Sequence, residues 1–560
     1  MSFKKLLLIF FASIAISFGL YGNTIGGQFI YDDIFFTRRA ELSDPSHLGK
    51  IWFEAYLPYD KTRTTYRPLS IFSFSLNFVL FGNSPKSFHI TNILLNGIVV
   101  FLVYILTLKL FGNPVLALFV ALFYAFLPIH IDAVSFNKAR DDILATLFSL
   151  FSWIIFLKAV DQGRSFKFLA LSSFLWVLAV LGKEIAVVMP ALFLLVFWMQ
   201  KRPNIGALFK VASYFFFAAL TYFSMRFIAL GNDLLTRDYV YFILDPIREA
   251  DFATRIWTSF KIAFIYISKT YLPINLSTTY SYNHLRLVSN FFQSWEVWLG
   301  MLFLASLILL VIYKKTRATA VGIGALAFLV PYAILSKFFV QLSEILSEKW
   351  MYLPSVGLSL MAGFVIYSLY KYRRWLGVAV LVVVLAIYAQ VIIERRSIWL
   401  NQTTLGEGMV RDAPDSAFAH FTLSDAYYRQ GKFKDAKSEI GKSLSIYEDY
   451  APSMHLVALI ALEEGNYTIA EKAIERATEL RSGLPENYQL QALLFFKKGK
   501  YQASLDLISK LPKRIQEQPN MLFLLAINNY KLGRIDEAKK YLNWDNTTSE
   551  EEKLKILETF

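Results

Sequence analysis

The chain has 560 residues, of which 56% are hydrophobic, 17% aromatic and only 18% charged. Soluble domains carry about 25% charged residues, so the composition excludes an ordinary soluble protein, and the length excludes a single domain; a multi-spanning membrane protein is expected. The net charge is +14 and there is no cysteine. The basic residues lie between apolar runs, where orientation in a bilayer explains them better than nucleic acid. Disulfides, thiolate catalysis and Cys-ligated metal are excluded.

The chain begins with Lys4-Lys5 and the apolar run Leu6 to Leu20. A cleaved signal peptide, cut among the small residues Ala12 to Ser17, is one reading. A retained anchor is the other, and it is preferred because more spans follow. Tyr31-Asp32-Asp33 comes soon after. A charge at bilayer depth costs about 2.5–3.5 kcal/mol, so this acidic pair is expected at the water interface, ahead of a long loop rich in aromatics and charges. A span needs about 20 apolar residues, which places eleven near 5–22, 90–110, 115–134, 142–160, 166–182, 185–200, 206–230, 296–313, 318–338, 352–370 and 375–393.

Basic residues fix the expected orientation. Lys4, Lys5, Lys109, Lys158, Arg164, Lys167, Lys201, Arg202, Lys314, Lys315, Arg317, Lys371, Arg373 and Arg374 flank alternate connections, which the positive-inside rule puts on the cytoplasmic side. The parity requires residues 232–295 to return to the side they left. Within them Arg255 to Tyr271 is apolar but interrupted by Lys261 and Lys269, and it reads as an amphipathic interfacial helix. The other reading, one more full span, would invert everything after it. With eleven spans, Asp32-Asp33, the stretch 137–142, Lys183-Glu184, residues 232–295, Ser347-Glu348-Lys349 and the C-terminal tail all meet the non-cytoplasmic face.

The tail changes character near Ala413-Pro414. Gly431, Gly465, Gly499 and Gly533 recur every 34 residues, and Ala436, Ala470, Ser504 and Ala538 keep the same period. Phe433, Tyr467, Tyr501 and Ile535 fall two residues after the glycines. This is the tetratricopeptide-repeat pattern, a helix–turn–helix in which glycine permits the turn and the small residue lets the helices close. Stacked units present a surface suited to an extended peptide or a partner helix, or they serve assembly.

Several polar groups carry possible chemistry. Asp32-Asp33 reads either as a solvated helix end or as a general base with a supporting carboxylate. In Tyr66-Arg67-Pro68-Leu69 the guanidinium suits a phosphate bidentately or anchors a headgroup. His89 and Asn92 lie one turn apart at the mouth of a span, where His89 equally suits an interfacial cap. His130 and Asp132, spaced i, i+2 at a helix end, make a poor metal pair, and no metal is expected. Lys138, Arg140, Asp141 and Asp142 open the next span. Lys183-Glu184 lies in a short connection, where ionisable groups pair or line a cavity. Glu348-Lys349 repeats that pattern. Together, carboxylates and fixed cations suit a lipid-phosphate donor. No Walker loop or dinucleotide glycine fingerprint is apparent.

The ordered stretches YDD at 31–33, YRPL at 66–69, FHITN at 88–92, PIHIDAV at 128–134, ARDDILA at 139–145, GKE at 182–184, LPINLSTTYS at 272–281 and SEKWMYLPSVG at 347–357, followed by the repeats, resemble the GT-C fold glycosyltransferases. Within them the chain looks most like the transmembrane O-mannosyltransferases with C-terminal tetratricopeptide repeats and their bacterial relatives. Asp132 stands where the family has glutamate, Leu127 where it has histidine, Lys349 where it has arginine and Thr279 where it has aspartate. The resemblance implies an all-α protein, with a multi-spanning GT-C-like bundle over 1–400 and repeats over 414–545. It implies transfer of a hexose, mannose first, from a polyprenyl-phosphate donor to a hydroxyl, Ser/Thr of a protein or alternatively a lipid or surface glycan. Transfer would occur with inversion and without a cofactor. Asp32 would be the base and Asp33 its support. Arg67, His89, His130, Asp132, Arg140, Asp142, Lys183, Glu184, Glu348 and Lys349 would be the donor-binding candidates. The expected partners are the lipid-linked sugar, an acceptor held by the repeats, and the bilayer, with no nucleic acid. The setting would be a bacterial inner membrane or an endoplasmic reticulum. A non-enzymatic scaffold displaying repeats is the reading from another class, and charged groups in short interhelical turns argue against it.

Overall fold

In hydrocarbon, every backbone N–H and C=O has to be satisfied inside the protein, so the apolar runs become helices. The computed structural model describes residues 2–37, 39–56, 65–231, 240–544 and 549–559; the part of the 232–295 connection at 232–239 lies outside them. The chain forms two compact units, Met1–Asp412 and Ala413–Phe560. Both are helical, and the β contact among the described residues is an isolated bridge between Tyr280 and Leu346.

In chain order the first unit carries α1 (Phe3–Tyr21), α2 (Pro68–Phe81), α3 (Pro85–Phe111), α4 (Pro114–Ala125), α5 (Ile131–Ser135), α6 (Arg140–Asp161) and α7 (Phe166–Gly182). There follow α8 (Met189–Lys201), α9 (Ile205–Leu230), α10 (Phe252–Tyr271), α11 (Trp295–Ile312), α12 (Ala320–Leu335), α13 (Ser355–Tyr372) and α14 (Arg374–Arg395). Every expected span holds a helix. Seven are long and apolar enough to cross a bilayer, and the bent pair 114–125 and 128–135, broken by 55°, makes an eighth; α7 and α12 are shorter apolar helices. The break falls at Pro128, which lacks the N–H a continuous helix needs. The third expected span is therefore two short helices. A further helix, α2, occupies what reads as loop in the sequence. Its Pro68 sits at the first turn and Gly82 stops it at φ +67°, the usual asymmetry of proline at the start and glycine at the end.

The helix ends sort by charge. At one end Lys109 and Lys201 both reach Asp161, at 3.3 and 3.8 Å, and Arg317 lies 5.9 Å from the Trp198 ring. Those residues belong to the basic connections. At the other end stand the loop after α1 and the starts of α6, α11 and α13. Helix α10 serves that end. Its Lys261 pairs with Glu296 at 3.2 Å, and its Tyr271 hydroxyl donates to the Leu358 carbonyl at 3.1 Å. It is not among the helices apolar enough to cross.

Two clamps fix the loops at this end. Phe36, Phe74, Phe78 and Phe88 form a buried aromatic cluster joining the first loop to α2 and α3, with Phe36 and Phe74 stacked at 4.3 Å. Farther along, Lys337 Nζ meets Asp245 Oδ2 at 2.9 Å with both side chains at most 1% exposed. Close to that pair, Ile345 N–H donates to Leu244 O at 3.0 Å.

In the second unit the 34-residue period becomes pairs of helices, the first being Ala417–Arg429 with Phe433–Ile446 and the second Ala451–Glu463 with Tyr467–Leu480. Gly431, Gly465, Gly499 and Gly533 all adopt φ between +72° and +75°, a left-handed region open to glycine at little cost. Ala436, Ala470, Ser504 and Ala538 are all fully buried. The repeat reading of the tail is shown in both its glycines and its small residues.

Candidate active site

Asp33 organises the loop after α1. Its Oδ2 accepts from Ile30 N–H at 3.1 Å and from the Asn137 amide at 3.3 Å, and its Oδ1 accepts from Lys138 N–H at 3.0 Å. One buried carboxylate thus ties the loop to the turn before α6. Burial pushes it up to about 7, against the Ile30, Asn137 and Lys138 donors that favour its charged form. Beside it Tyr31 takes φ +50°, costly for an aromatic residue. The bonds around it hold that conformation: Tyr31 N–H donates to Gln402 Oε1 at 2.9 Å, and Gln28 N–H donates to Leu400 O at 2.8 Å. Strain held by surrounding contacts is characteristic of functional loops.

Asp32 differs from its neighbour. Its side chain is 24% exposed and its Oδ2 lies 3.5 Å from Lys138 Nζ. The next carboxylates inward are taken. Asp141 Oδ2 meets Arg67 at 2.6 Å, and Asp142 Oδ2 meets Lys183 Nζ at 2.6 Å. Glu184 meets Arg67 at 2.9 Å and Arg226 at 3.8 Å. Successive residues on a helix point about 100° apart, so Asp141 and Asp142 serve two different cations. Burial pulls the Arg67 guanidinium down, but Glu184 and Asp141 outweigh it and hold it above its ordinary value.

Not every candidate reaches that cluster as a free group. Arg140 is wholly buried. Its nitrogens donate to Asn92 Oδ1 at 2.7 Å, Asn77 Oδ1 at 2.6 Å, Ser73 O at 3.1 Å and Phe88 O at 3.1 Å. Its guanidinium lies 5.0 Å from both the Phe74 and Phe88 rings. Its hydrogen bonds go to interior oxygens, so it braces α6 against α2 and α3 and does not present a free guanidinium beside Asp32. His130 is also interior: Nε2 lies 2.8 Å from Ser355 Oγ, between the rings of Tyr124 and Tyr352 at 4.5 and 4.7 Å. His89 is buried, with the Asn137 amide 3.3 Å from its Nε2.

Asp132 accepts from the Trp399 indole at 3.1 Å. Glu348 Oε1 accepts from Ser277 N–H at 2.8 Å and from the Tyr280 hydroxyl at 2.7 Å, so this carboxylate pins the 277–280 loop; burial pushes it up. Lys349 is held loosely, 3.8 Å from Glu344 and 5.6 Å from the Phe136 ring. Among the described residues no three His, Asp or Glu side chains gather as a metal group. Sequence reasoning left out Lys138, Asn137, Asp141 and Trp399 as site residues. The first three lay within a stretch already singled out, next to Arg140. Trp399 follows the last span, and nothing local signals its bond to Asp132.

The chain resembles known proteins over both units. Residues 66–229 match the family described as dolichyl-phosphate-mannose-protein mannosyltransferase. Residues 463–544 match the repeat-bearing family described as anaphase-promoting complex, cyclosome, subunit 3. The protein O-mannosyl-transferase TMTC1 of Homo sapiens is 24% identical over 495 residues, covering 78% of this chain and 54% of that protein. The protein O-mannosyl-transferase F38B6.6 of Caenorhabditis elegans is 20% identical over 464 residues, 78% of this chain and 62% of that protein. The protein O-mannosyl-transferase tmtc2 of Xenopus laevis is 34% identical over 172 residues, 30% of this chain and 20% of that protein. The chain spans about half the length of the first of these relatives. The chain is thus similar to protein O-mannosyl-transferases over its multi-spanning unit and to a repeat-bearing family over its tail, in line with its ordered motifs.

Proposed function

We propose that the protein transfers mannose from a polyprenyl-phosphate donor to a hydroxyl of a protein, with Asp32 as general base. The observation that carries this reading is the contrast within one cluster. Asp141 and Asp142 are 2% and 3% exposed and closely paired, whereas Asp32 is 24% exposed and its cation stands 3.5 Å away. A base needs to reach the hydroxyl whose proton it takes. Asp32 takes that proton, the hydroxyl oxygen bonds to the anomeric carbon, and the phosphate leaves with the electron pair of the broken bond. One displacement with one base inverts the anomeric centre. The cations of the cluster stabilise the charge that develops on the leaving phosphate.

The reaction belongs on the non-cytoplasmic face, because the basic connections collect at the opposite end. A lipid-linked donor suits that side, where cytosolic nucleotide sugars are absent. The repeats, whose stacked helices suit an extended chain, hold the acceptor. No metal is needed in this scheme.

The test is transfer from a labelled polyprenyl-phosphate mannose to a Ser/Thr-rich polypeptide by the purified full-length protein. Asp32→Asn is expected to lower turnover by about 10³-fold or more, within the range that general bases supply, while donor binding and expression persist. Turnover retained in Asp32→Asn would remove this residue as the base. Absence of both transfer and donor hydrolysis in the unaltered protein would favour a scaffold.

A further inference from the structure

The cations of the cluster differ in how firmly they are held. Arg140 is caged by neutral oxygens. Arg67 and Lys183 each make a contact of 2.6 Å with a buried carboxylate. Lys138 does not. Its Nζ lies 3.5 Å from Asp32, and its side chain is 18% exposed. That separation exceeds the roughly 2.7–2.9 Å of a close charge-assisted hydrogen bond. Yet the Lys138 backbone is firmly placed, because its N–H donates to the buried Asp33 at 3.0 Å. The result is a fixed chain carrying a loose ammonium, and a lysine head is a compact charge on a flexible stem.

The chemistry moves charge in the direction such a group can follow. A polyprenyl-phosphate sugar is a phosphodiester with one negative charge. When its sugar departs, the phosphate becomes a monoester carrying about −1.5 to −2 near neutral pH. Over the same step the base loses its negative charge by taking a proton. Negative charge therefore leaves Asp32 and appears on the phosphate. Lys138 lies three residues before Asp141, which holds Arg67 at 2.6 Å, so one short stretch joins the cation of Asp32 to the paired cations of the cluster.

We propose that Lys138 is a positioning residue shared between Asp32 and the donor phosphate. This rests on the glycosyltransferase reading above. Before the donor binds, its ammonium stands against Asp32 at 3.5 Å. Once the donor is seated, the ammonium turns to the phosphate and leaves Asp32 open to the acceptor. During transfer, Asp32 takes the hydroxyl proton, the bond from that oxygen to the anomeric carbon forms, and the carbon–oxygen bond to phosphate breaks with its electrons on the phosphate. Lys138 meets the new charge.

The experiment compares Lys138→Met and Lys138→Arg with the unaltered full-length protein in lipid nanodiscs. The probe is radiolabelled polyprenyl-phosphate mannose, with a Ser/Thr-rich peptide or water as acceptor, and donor KM and kcat are read separately. Lys138→Met is expected to raise donor KM by about tenfold or more, the size of one lost charge-assisted contact. Lys138→Arg is expected to retain the donor KM of the unaltered protein. A Lys138→Met protein with donor KM within about twofold of the unaltered protein, or with only kcat reduced, overturns the inference and leaves the function standing. No transfer or hydrolysis in the unaltered protein overturns the function, and the inference with it. If Lys138→Met does not fold, Lys138→Gln is judged by the same two readouts.

Discussion

Lys183 and Asp142 face each other at 2.6 Å with side chains 10% and 3% exposed, and this pair separates structural from ligand-binding charge. Removing one partner of a buried ion pair typically costs about 3–5 kcal/mol, because the other is left uncompensated, while replacing both by neutral groups costs far less. Lys183→Met is therefore expected to lower the melting temperature strongly, and Lys183→Met with Asp142→Asn to recover most of the loss. Thermal unfolding of the two singles and the double in one detergent measures this. A double variant no more stable than Lys183→Met would mean that the pair is not the unit. The sequence marks these residues as chemistry-bearing without assigning their partners. Arg140 is the sharpest case. In the sequence it reads as a phosphate ligand, yet its partners Asn77 and Asn92 lie on two other helices and are neutral. Charge and type are local properties; the identity of a partner many residues away is not.

Elements meet closely where glycines allow it, and α12 against α13 is the clearest instance. A side-chain carbon at Gly324 would lie 2.7 Å from the Gly357 carbonyl oxygen, and one at Gly357 would meet the backbone of Gly324 and Phe328. Small residues that bring backbones together are the usual glue between helices in a bilayer. Gly357 sits just inside α13, next to the segment that supplies Glu348 and Lys349. Gly357→Leu is expected to cost about 1–3 kcal/mol from overpacking and to reduce transfer, measured as a lower melting temperature together with a lower kcat/KM. A variant with unaltered stability would show that the two helices separate without cost. At this scale the sequence is readable wherever an apolar run is long. The third expected span is broken at Pro128, and α2 lies between Tyr66-Arg67 and α3. Proline marks both places, but a proline that starts a helix and one that breaks a span have the same local appearance. The packing of the first loop onto α2 through Phe36 and Phe74 depends on aromatic contacts that no periodicity signals.

For the whole molecule the decisive asymmetry is electrostatic. Lys109, Lys201 and Arg317 gather at one end of the first unit, and Asp32, Lys138, Arg67 and Lys183 gather at the other. Basic connections stay on the cytoplasmic side during insertion, so the second cluster is expected to face away from the cytoplasm. The alternation of basic ends was legible in the sequence, because it depends on counting lysines and arginines and not on packing. The weak point of the count is α10, whose Lys261 and Lys269 argue against a crossing. Helix α10 also decides the side of everything after it. A reporter fused after Asp412 is expected to give a non-cytoplasmic signal, and one fused after Leu230 the same signal, since the chain between them crosses an even number of times when α10 does not cross. Opposite signals from the two fusions would make α10 a span and place the repeats on the cytoplasmic side. Acceptors would then be gripped across the membrane from Asp32, and the proposal that the repeats present them to this base would fail.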